Sequence, residues 1–114
     1  MQYSLIVKTD DQAITERSAC GHRKRLLSKE DTGAAAWVHV VDINGAKPHY
    51  HKRAVEIYYV LDGEGEITLD GKSYNISKGS IIHIPPNVVH GAKGKMRVLV
   101  VGIPDIAEND IFYP

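Results

Sequence analysis

Short segments rich in β-branched and aromatic residues recur between residues 34 and 103, and each ends at a turn dipeptide or a proline. No stretch of the chain has the 3.6-residue apolar period of a long helix. Segments of this kind, spaced roughly eight to twelve residues apart, are typical of an all-β sandwich or barrel. The predicted strands are Ala34–Ile43, Ala46–His51, Glu56–Leu61, Gly65–Leu69, Lys72–Ile76, Ser80–Ile84 and Arg97–Ile103.

The clearest turn is Asp70-Gly71, which stands between the strand sequences GEITL and KSYNI. Two residues of this type favour a type I′ hairpin turn, because both positions need a positive φ angle. Asn44-Gly45 and Asp62-Gly63 are predicted to end strands in the same way. Pro85-Pro86 is predicted to stop the strand before it, since proline cannot continue the interior of a sheet.

The two ends of the chain have weaker patterns. Residues 1–33 are expected to form an N-terminal arm with one short strand, Tyr3–Val7, and a polar stretch that wraps the barrel or crosses to a partner subunit. The pair Phe112-Tyr113 is expected to pack on the barrel as a lid or to form a dimer contact, with pocket lining as the alternative. The length of 114 residues predicts one domain, residues 1–114.

Composition excludes some classes of partner. Fourteen basic and fourteen acidic residues give no net charge, so neither nucleic acid nor an anionic membrane is an expected partner. The basic run His22–Arg25 is interpreted as a solvated loop, with a phosphate site as the less favoured alternative. Cys20 is the single cysteine and is expected to be structural rather than a reactive thiol. The apolar stretch near the N-terminus is too short for a signal peptide or a membrane span, so a cytoplasmic protein is the default expectation.

Four side chains that can bind a metal follow a suggestive spacing: His49, His51, Glu56 and His90. Alternation along a strand places His49 and His51 on one face and Tyr50 on the other. Glu56 begins the next predicted strand and brings a carboxylate beside the two imidazoles. His90 is expected to arrive from a distant strand, and the four residues together predict a metal site.

Other polar residues could belong to the same site. Tyr58 shares the strand face of Glu56, so its hydroxyl could orient the carboxylate or donate a proton to a substrate. The alternative for Tyr58 is an aromatic side chain that only fills the barrel. His39 and His83 lie in predicted strands and either line the pocket or are hydrogen-bonded bystanders, whereas His22 is expected to be exposed.

These spacings resemble the two motifs of the cupin family. The first motif has the form His-x-His, three or four residues, Glu, six residues and Gly, and the second runs from a glycine through a proline to a histidine. The matching residues are His49, His51, Glu56 and Gly63 for the first motif and Gly79, Pro85 and His90 for the second. The motif region spans residues 45–94, and the segment between the motifs is short, as in compact microbial cupins.

Three positions depart from the family pattern, and none of them is a predicted ligand. Gly45 stands two residues closer to His49 than the first glycine of the family, so the entry to the motif could differ. Asn87 replaces the glycine that follows the motif proline, a mild change because asparagine tolerates the left-handed conformation. Gly94 stands at the position of the final asparagine of the motif.

The resemblance implies a double-stranded β-helix, that is, a jelly-roll barrel, built as a small single-domain cupin. It also implies a homodimer, which would cover the apolar outer faces of Tyr59 and Leu61. Three imidazoles and one carboxylate suit one divalent transition metal, namely iron, manganese, nickel, zinc, cobalt or copper. If the metal is six-coordinate, four protein ligands leave two positions open for water, a substrate or O₂.

A shared fold does not determine a single reaction, so several functions stay open at this point. The first hypothesis is a metal-dependent, dioxygenase-like enzyme that acts on a small organic molecule. An isomerase or lyase, in which the metal polarises a carbonyl group, belongs to the same class. The alternative is a non-catalytic module that binds a small ligand through the metal.

Overall fold

In a computed structural model, which describes residues 5–18, 21–105 and 110–114, the chain folds into one antiparallel sheet of seven strands. The strand order is β1-β2-β3-β7-β4-β5, and β6 pairs with β4. A 3₁₀ turn (Asp10–Gln12) and one short helix (Lys29–Thr32) complete the described elements. The all-β prediction is therefore confirmed. The strands are β1 (Thr15–Ser18), β2 (Gly21–Leu27), β3 (Trp37–His49), β4 (Val55–Leu69), β5 (Lys72–Ser77), β6 (Ile81–Ile84) and β7 (His90–Ile103).

The core forms from the inward faces of β3, β4, β5, β6 and β7. Along β4 the buried residues Glu56, Tyr58 and Val60 alternate with more exposed neighbours, as the pleat of a half-buried strand requires. Val60 pairs with Val98 of β7, and both side chains are fully buried. Val98 pairs in turn with Val41 of β3. One row of side chains thus crosses three strands and forms the floor beneath the predicted site.

Two predicted turns are β-bulges within longer strands, so those strand ends were predicted wrongly. The register of β3 shifts at Asn44-Gly45, and the register of β4 shifts just before Asp62-Gly63. Both glycines have a φ of 84°, which a turn and a bulge can equally use. A Cβ atom on Gly63 would collide with the backbone oxygen of Lys95 on β7. Because β3 and β4 pair closely with β7 on both sides of these glycines, each strand continues past its bulge.

Other predicted turns are confirmed. Asp70-Gly71 joins β4 to β5, and its φ angles of 48° and 84° are both positive, as in a type I′ turn. Asn87 adopts a φ of 68°, so it takes the left-handed conformation expected of the glycine that it replaces. The strand β6 ends at Ile84, directly before Pro85-Pro86.

The N-terminal part differs from the predicted arm. The strands β1 and β2 pair with each other as an antiparallel hairpin, and β2 extends the sheet by pairing with β3. The basic run His22–Arg25 therefore lies in a strand, and its interpretation as a loop was wrong, although His22 itself is exposed as expected. The predicted strand Tyr3–Val7 is wrong for residues 5–7, which lie outside any strand. Its first two residues fall outside the described ranges. Cys20 also lies outside the described residues.

The outer face of the barrel carries exposed apolar side chains. Tyr59 and Leu61 of β4 are partly exposed, and Ile81 of β6, which pairs with Tyr59, is 71% exposed. A homodimer that covers this face stays a prediction, as does the extent of the domain over residues 1–114. Among the described residues, no helix has the length and apolar character needed to cross a membrane.

Candidate metal centre

The structure brings all four predicted ligand residues together. His49 is the last residue of β3 and pairs with His90, the first residue of β7, while Glu56 lies near the start of β4. His51 follows β3 by two residues and returns to the same side, because Tyr50 turns away and stacks on Phe112. One ligand atom from each of the four lies within 4.8 Å of the others, and every one of these side chains is at least 94% buried.

Backbone carbonyl groups fix the orientation of all three imidazoles. A carbonyl oxygen can only accept a hydrogen bond, so each Nδ1 must carry the proton. Each neutral ring then presents the lone pair of Nε2, which is the form that binds a metal. The acceptors are the carbonyl oxygens of Lys47 for His49 (2.7 Å), Asp110 for His51 (2.6 Å) and Val88 for His90 (2.9 Å).

The Nε2 atoms of His51 and His90 lie close to the carboxylate of Glu56. Within the described ranges, His51 Nε2, Glu56 Oε1 and His90 Nε2 are buried polar atoms that lack a hydrogen-bond partner. Glu56 Oε1 lies 2.9 Å from His51 Nε2 and 3.1 Å from His90 Nε2. Buried acceptors at this separation repel one another unless a cation or an extra proton lies among them. The donor set therefore fits a divalent metal ion.

The pKa shifts describe how protons compete for the same atoms. Burial raises the pKa of the Glu56 carboxyl, but its pairing with His51 and then His90 outweighs burial and lowers that pKa to about 2. Burial lowers the pKa of His51, yet the Glu56 carboxylate outweighs this and raises it above 6.5. Burial lowers the pKa of His49 and favours its neutral form. Protonation of His51 is therefore the reaction that competes with metal binding as the pH falls.

We expect any bound metal to leave as the pH falls through the imidazole range. Glu56 stays ionised throughout, while His51 begins to take up a proton above pH 6.5, so metal affinity decreases from that point downwards. Metal content is measured by mass spectrometry after equilibration against a weak chelator at a series of pH values. Full retention of the metal at pH ~4 would contradict imidazole ligation.

Asp110 supports the site, although the sequence analysis did not predict it. Its carbonyl oxygen binds His51, and its buried carboxylate accepts hydrogen bonds from three successive backbone amides at 2.9–3.2 Å. These amides belong to residues 52–54, the loop between His51 and Glu56. Burial raises the pKa of Asp110, but the three amides outweigh it and lower this pKa. The C-terminal segment thus holds the loop that sets the spacing of two ligands.

A cavity of about 440 Å³ lies beside the four ligands and includes three of them, together with Tyr58. Tyr58 is 5% exposed, and its ring stands perpendicular to that of His90 with 6.5 Å between the centroids. His39 also lines this cavity, whereas His83 is exposed on β6 and does not. The prediction that a strand histidine lines the pocket is therefore confirmed for His39 and wrong for His83.

The aromatic pair near the C-terminus packs on the barrel beside the site. Phe112 exchanges two backbone hydrogen bonds of 2.9 Å with Tyr50, and the two rings stack at 5.6 Å. The ring of Tyr113 lies 6.4 Å from that of His49. Neither aromatic side chain lines the cavity, so the pocket-lining alternative fails. The packing on the barrel agrees with the first expectation, and a dimer contact stays a prediction.

Residues 33–102 match the family model described as the cupin domain. This match covers most of the chain and includes every strand that carries a candidate ligand. The chain belongs to the cupin family. Membership also accounts for the jelly-roll barrel, in which the motif residues of β3, β4 and β7 meet at one end of the cavity.

Several curated proteins resemble this cupin. An uncharacterized protein of Methanocaldococcus jannaschii is 33% identical over 66 residues, which are 54% of this chain and 53% of that protein. Quercetin 2,3-dioxygenase of Bacillus subtilis is 36% identical over 42 residues, 37% of this chain but only 12% of the enzyme. L-ectoine synthase of Bordetella parapertussis is 25% identical over 112 residues, 93% of this chain and 83% of the enzyme. The chain thus spans about half of the first relative and a small part of the second.

A solved structure matches nearly the whole chain. The crystal structure of a protein from Planctomyces limnophilus has a TM-score of 0.88 and 29% sequence identity, and the match covers 96% of this chain and 97% of that one. This similarity extends beyond the motif region to the N-terminal hairpin. The cupin barrel with its added hairpin is therefore an arrangement that this solved protein shares.

Proposed function

We propose that this cupin is a metal-dependent, dioxygenase-like enzyme that acts on a small organic molecule. The observation that carries the proposal is the set of three Nδ1 atoms bound to backbone carbonyls, which leaves the three Nε2 lone pairs available in one cluster with Glu56. A barrel that needed these histidines only for packing would not require all three to share one tautomer and to converge on a carboxylate. A reactive site needs this preorganisation.

His49, His51, Glu56 and His90 would hold one divalent transition metal, with iron, manganese, nickel, zinc, cobalt and copper all compatible with the donor set. Such a metal supplies Lewis acidity and, where it is redox-active, a centre at which O₂ and an organic substrate can react. The ligands come from strands and a braced loop, so their positions are set before a substrate arrives. The adjacent cavity, within the usual size range of ligand pockets, provides the space for that substrate.

Tyr58 is the side chain that we assign to proton transfer in this proposal. It lines the cavity beside the candidate ligands and lies on the strand face of Glu56. Its phenol can donate a proton to an oxygen atom of a substrate held between it and the four ligands. The same position favours a second candidate function, an isomerase or lyase, because such reactions need a proton donor close to a polarised carbonyl group.

The relatives support an enzyme over a binding module. The sequence matches include a dioxygenase and a synthase, and the match to the synthase extends over most of both chains. The dioxygenase match covers only a small part of that enzyme, so oxygen chemistry comes to this chain as a proposal. A non-catalytic module that binds a small ligand through the metal is the remaining alternative.

The function is tested with Fe(II)-loaded protein, an oxygen electrode and a panel of diketones, catechols and small hydroxy acids. We expect oxygen uptake with one of these classes, and we expect Tyr58→Phe to lower kcat by about 100-fold while metal content and KM stay near the wild-type values. Conversion followed by NMR without oxygen uptake would instead support the isomerase or lyase. Saturable binding without conversion would support the binding module and contradict the enzyme.

A further inference from the structure

The basic run of the N-terminal hairpin faces the cavity of the candidate metal centre. Arg23 and Arg25 of β2 pair with Val41 and His39 of β3. Residues directly opposite each other in an antiparallel pair place their side chains on the same face. Val41 and His39 line the cavity, and so do both arginines. Two guanidinium groups therefore lie in the wall of the space that also contains Glu56.

The positive charge of these two groups is only partly balanced. Arg23 Nε donates to Glu16 Oε1 at 2.9 Å, and Arg25 donates to the same oxygen from Nη2 at 2.8 Å and from Nε at 3.1 Å. One carboxylate thus serves two guanidinium groups. In the described part of the chain, the terminal nitrogens of Arg23 have no acceptor, although the side chain is only 28% exposed. A third guanidinium, that of Arg17, lines the same cavity.

The described part of the cavity wall also contains acidic residues. Asp105 and Glu56 are the acidic residues of its wall, and the charge of Glu56 is directed at the candidate metal position. Burial, followed by the positive charges of Arg23 and Arg25, lowers the pKa of His39 to about 4, so His39 is neutral near pH 7. An anion that enters this part of the cavity therefore meets positively charged donors, and Glu16 is the carboxylate with which it would compete for them.

The rest of the wall between the arginines and the four ligands is mainly apolar. The Trp37 and His39 rings lie with 4.2 Å between their centroids and an interplanar angle of 35°, and the Trp37 indole occupies space left open by Gly102. Val41 and Val100 also line the cavity. A molecule that fills the cavity would thus have one polar end at the arginines, an apolar middle and a second polar end at the ligands.

We propose that the cavity binds a small organic acid, whose carboxylate is held by Arg23 and Arg25 while its other oxygen-bearing end faces His49, His51 and Glu56. This assignment rests on the proposed function and names its substrate class. Guanidinium groups bind carboxylates through charge-assisted hydrogen bonds, and Glu16 shows that both of these groups can reach one carboxylate oxygen. The cavity volume limits the acid to a small molecule.

The test uses the fluorescence of Trp37, the single tryptophan of the chain, which lies in the cavity wall. The full-length protein as purified is titrated with acetate, lactate and succinate, and separately with the neutral amides of these acids and with inorganic phosphate. We expect saturable binding of at least one acid and no response to its amide. Arg23→Gln and Arg25→Gln should each weaken that binding about tenfold, which corresponds to the loss of one charge-assisted hydrogen bond.

Arg97→Gln is the matched control, because Arg97 pairs with Asp10 outside the cavity and its loss changes the net charge by the same amount. Arg25→Lys keeps the charge and should bind more weakly than wild type but more tightly than Arg25→Gln. Equal binding by wild type and both glutamine variants, or equal binding of acid and amide, would overturn the proposal. Arginine-dependent binding of phosphate alone would overturn the assignment to a carboxylate.

Metal content is measured on every sample of this titration. Unchanged metal content with weakened acid binding places the effect at the arginines and leaves the metal proposal untouched. Conversely, a protein without stoichiometric metal that still binds an acid through Arg23 and Arg25 would retain the anion site and lose the proposed chemistry. The two proposals therefore fail through different measurements.

Discussion

Replacing His51 by alanine should reduce the metal content of the purified protein from about one equivalent to near zero. The side chain is 6% exposed, and its Nε2 lies 2.9 Å from Glu56 Oε1, so its removal takes away one of four convergent ligand atoms. We expect the loss of metal affinity to exceed the ~10–100-fold typical for changes to outer-shell partners. Any metal-dependent turnover would fall in proportion to occupancy.

The measurement is metal analysis by mass spectrometry on protein purified without added metal. His83→Ala is the matched control, since His83 is an exposed histidine on β6 that does not line the cavity. Wild type and the control should also gain thermal stability on addition of the bound metal, while His51→Ala should gain little, because a ligand stabilises only the state that binds it. Absence of stoichiometric metal in wild type, with identical behaviour of all three proteins, would contradict the metal centre.

The candidate ligands were predictable from sequence because their positions depend on local rules. His49 and His51 follow the alternation of an extended segment, and Glu56 begins the next strand. The hairpin at Asp70-Gly71 was equally local, since two residues with positive φ specify the turn. In each case the residues that determine the geometry lie close together in the chain.

The errors arise where a distant strand decides the outcome. Gly45 and Gly63 have the φ of a turn, yet pairing with β7 makes each of them part of a bulge. In β2 the positions that line the cavity are occupied by Arg23 and Arg25, so the strand lacks the apolar period that would identify it. These arginines belong to the cavity wall and not to the core. The arginines in the cavity wall both hide the strand from a search for apolar periodicity and give the hairpin its functional interest.

The role of Asp110 was not predicted from the sequence, because it too depends on a contact between distant parts of the chain. It lies 59 residues from His51 in the chain, and its contact depends on the return of the C-terminal segment to the loop of residues 52–54. No spacing rule links an aspartate near the terminus to a motif in the middle of the chain. The separation makes Asp110 a sensitive probe, because a substitution there leaves all four candidate ligands chemically intact.

Asp110→Ala should lower metal affinity by about 10–100-fold without removing a ligand. The substitution retains the backbone carbonyl that binds His51, but it removes the carboxylate that accepts the amides of Lys52, Arg53 and Ala54. The loop then loses the contacts that set the distance between His51 and Glu56. Asp110→Asn should have a smaller effect, because its amide oxygen can still accept one of the three hydrogen bonds.

The same variant should also be less stable without metal. Leaving three partly buried amides without an acceptor should cost about 3 kcal/mol in the free energy of unfolding, measured with urea on metal-free protein. The pKa of Asp110 is lowered in the folded state, so its contribution is fully present above the unfolded pKa of about 4 and is lost as the pH falls through the lower folded value. The deficit of Asp110→Ala should therefore be constant at neutral pH and shrink below pH ~4.

Asp62→Ala is the control for both measurements, because Asp62 is exposed on β4 and does not line the cavity. Metal affinity is determined by competition with a chromophoric chelator at a pH where the imidazoles are neutral. Any change in affinity then reflects the position of the loop and not the protonation of the histidines. A general loss of structure would lower metal affinity and unfolding free energy in both alanine variants. If Asp110→Ala keeps wild-type metal affinity, the Asp110 carboxylate is not needed to hold residues 52–54 in the position that sets the ligand spacing.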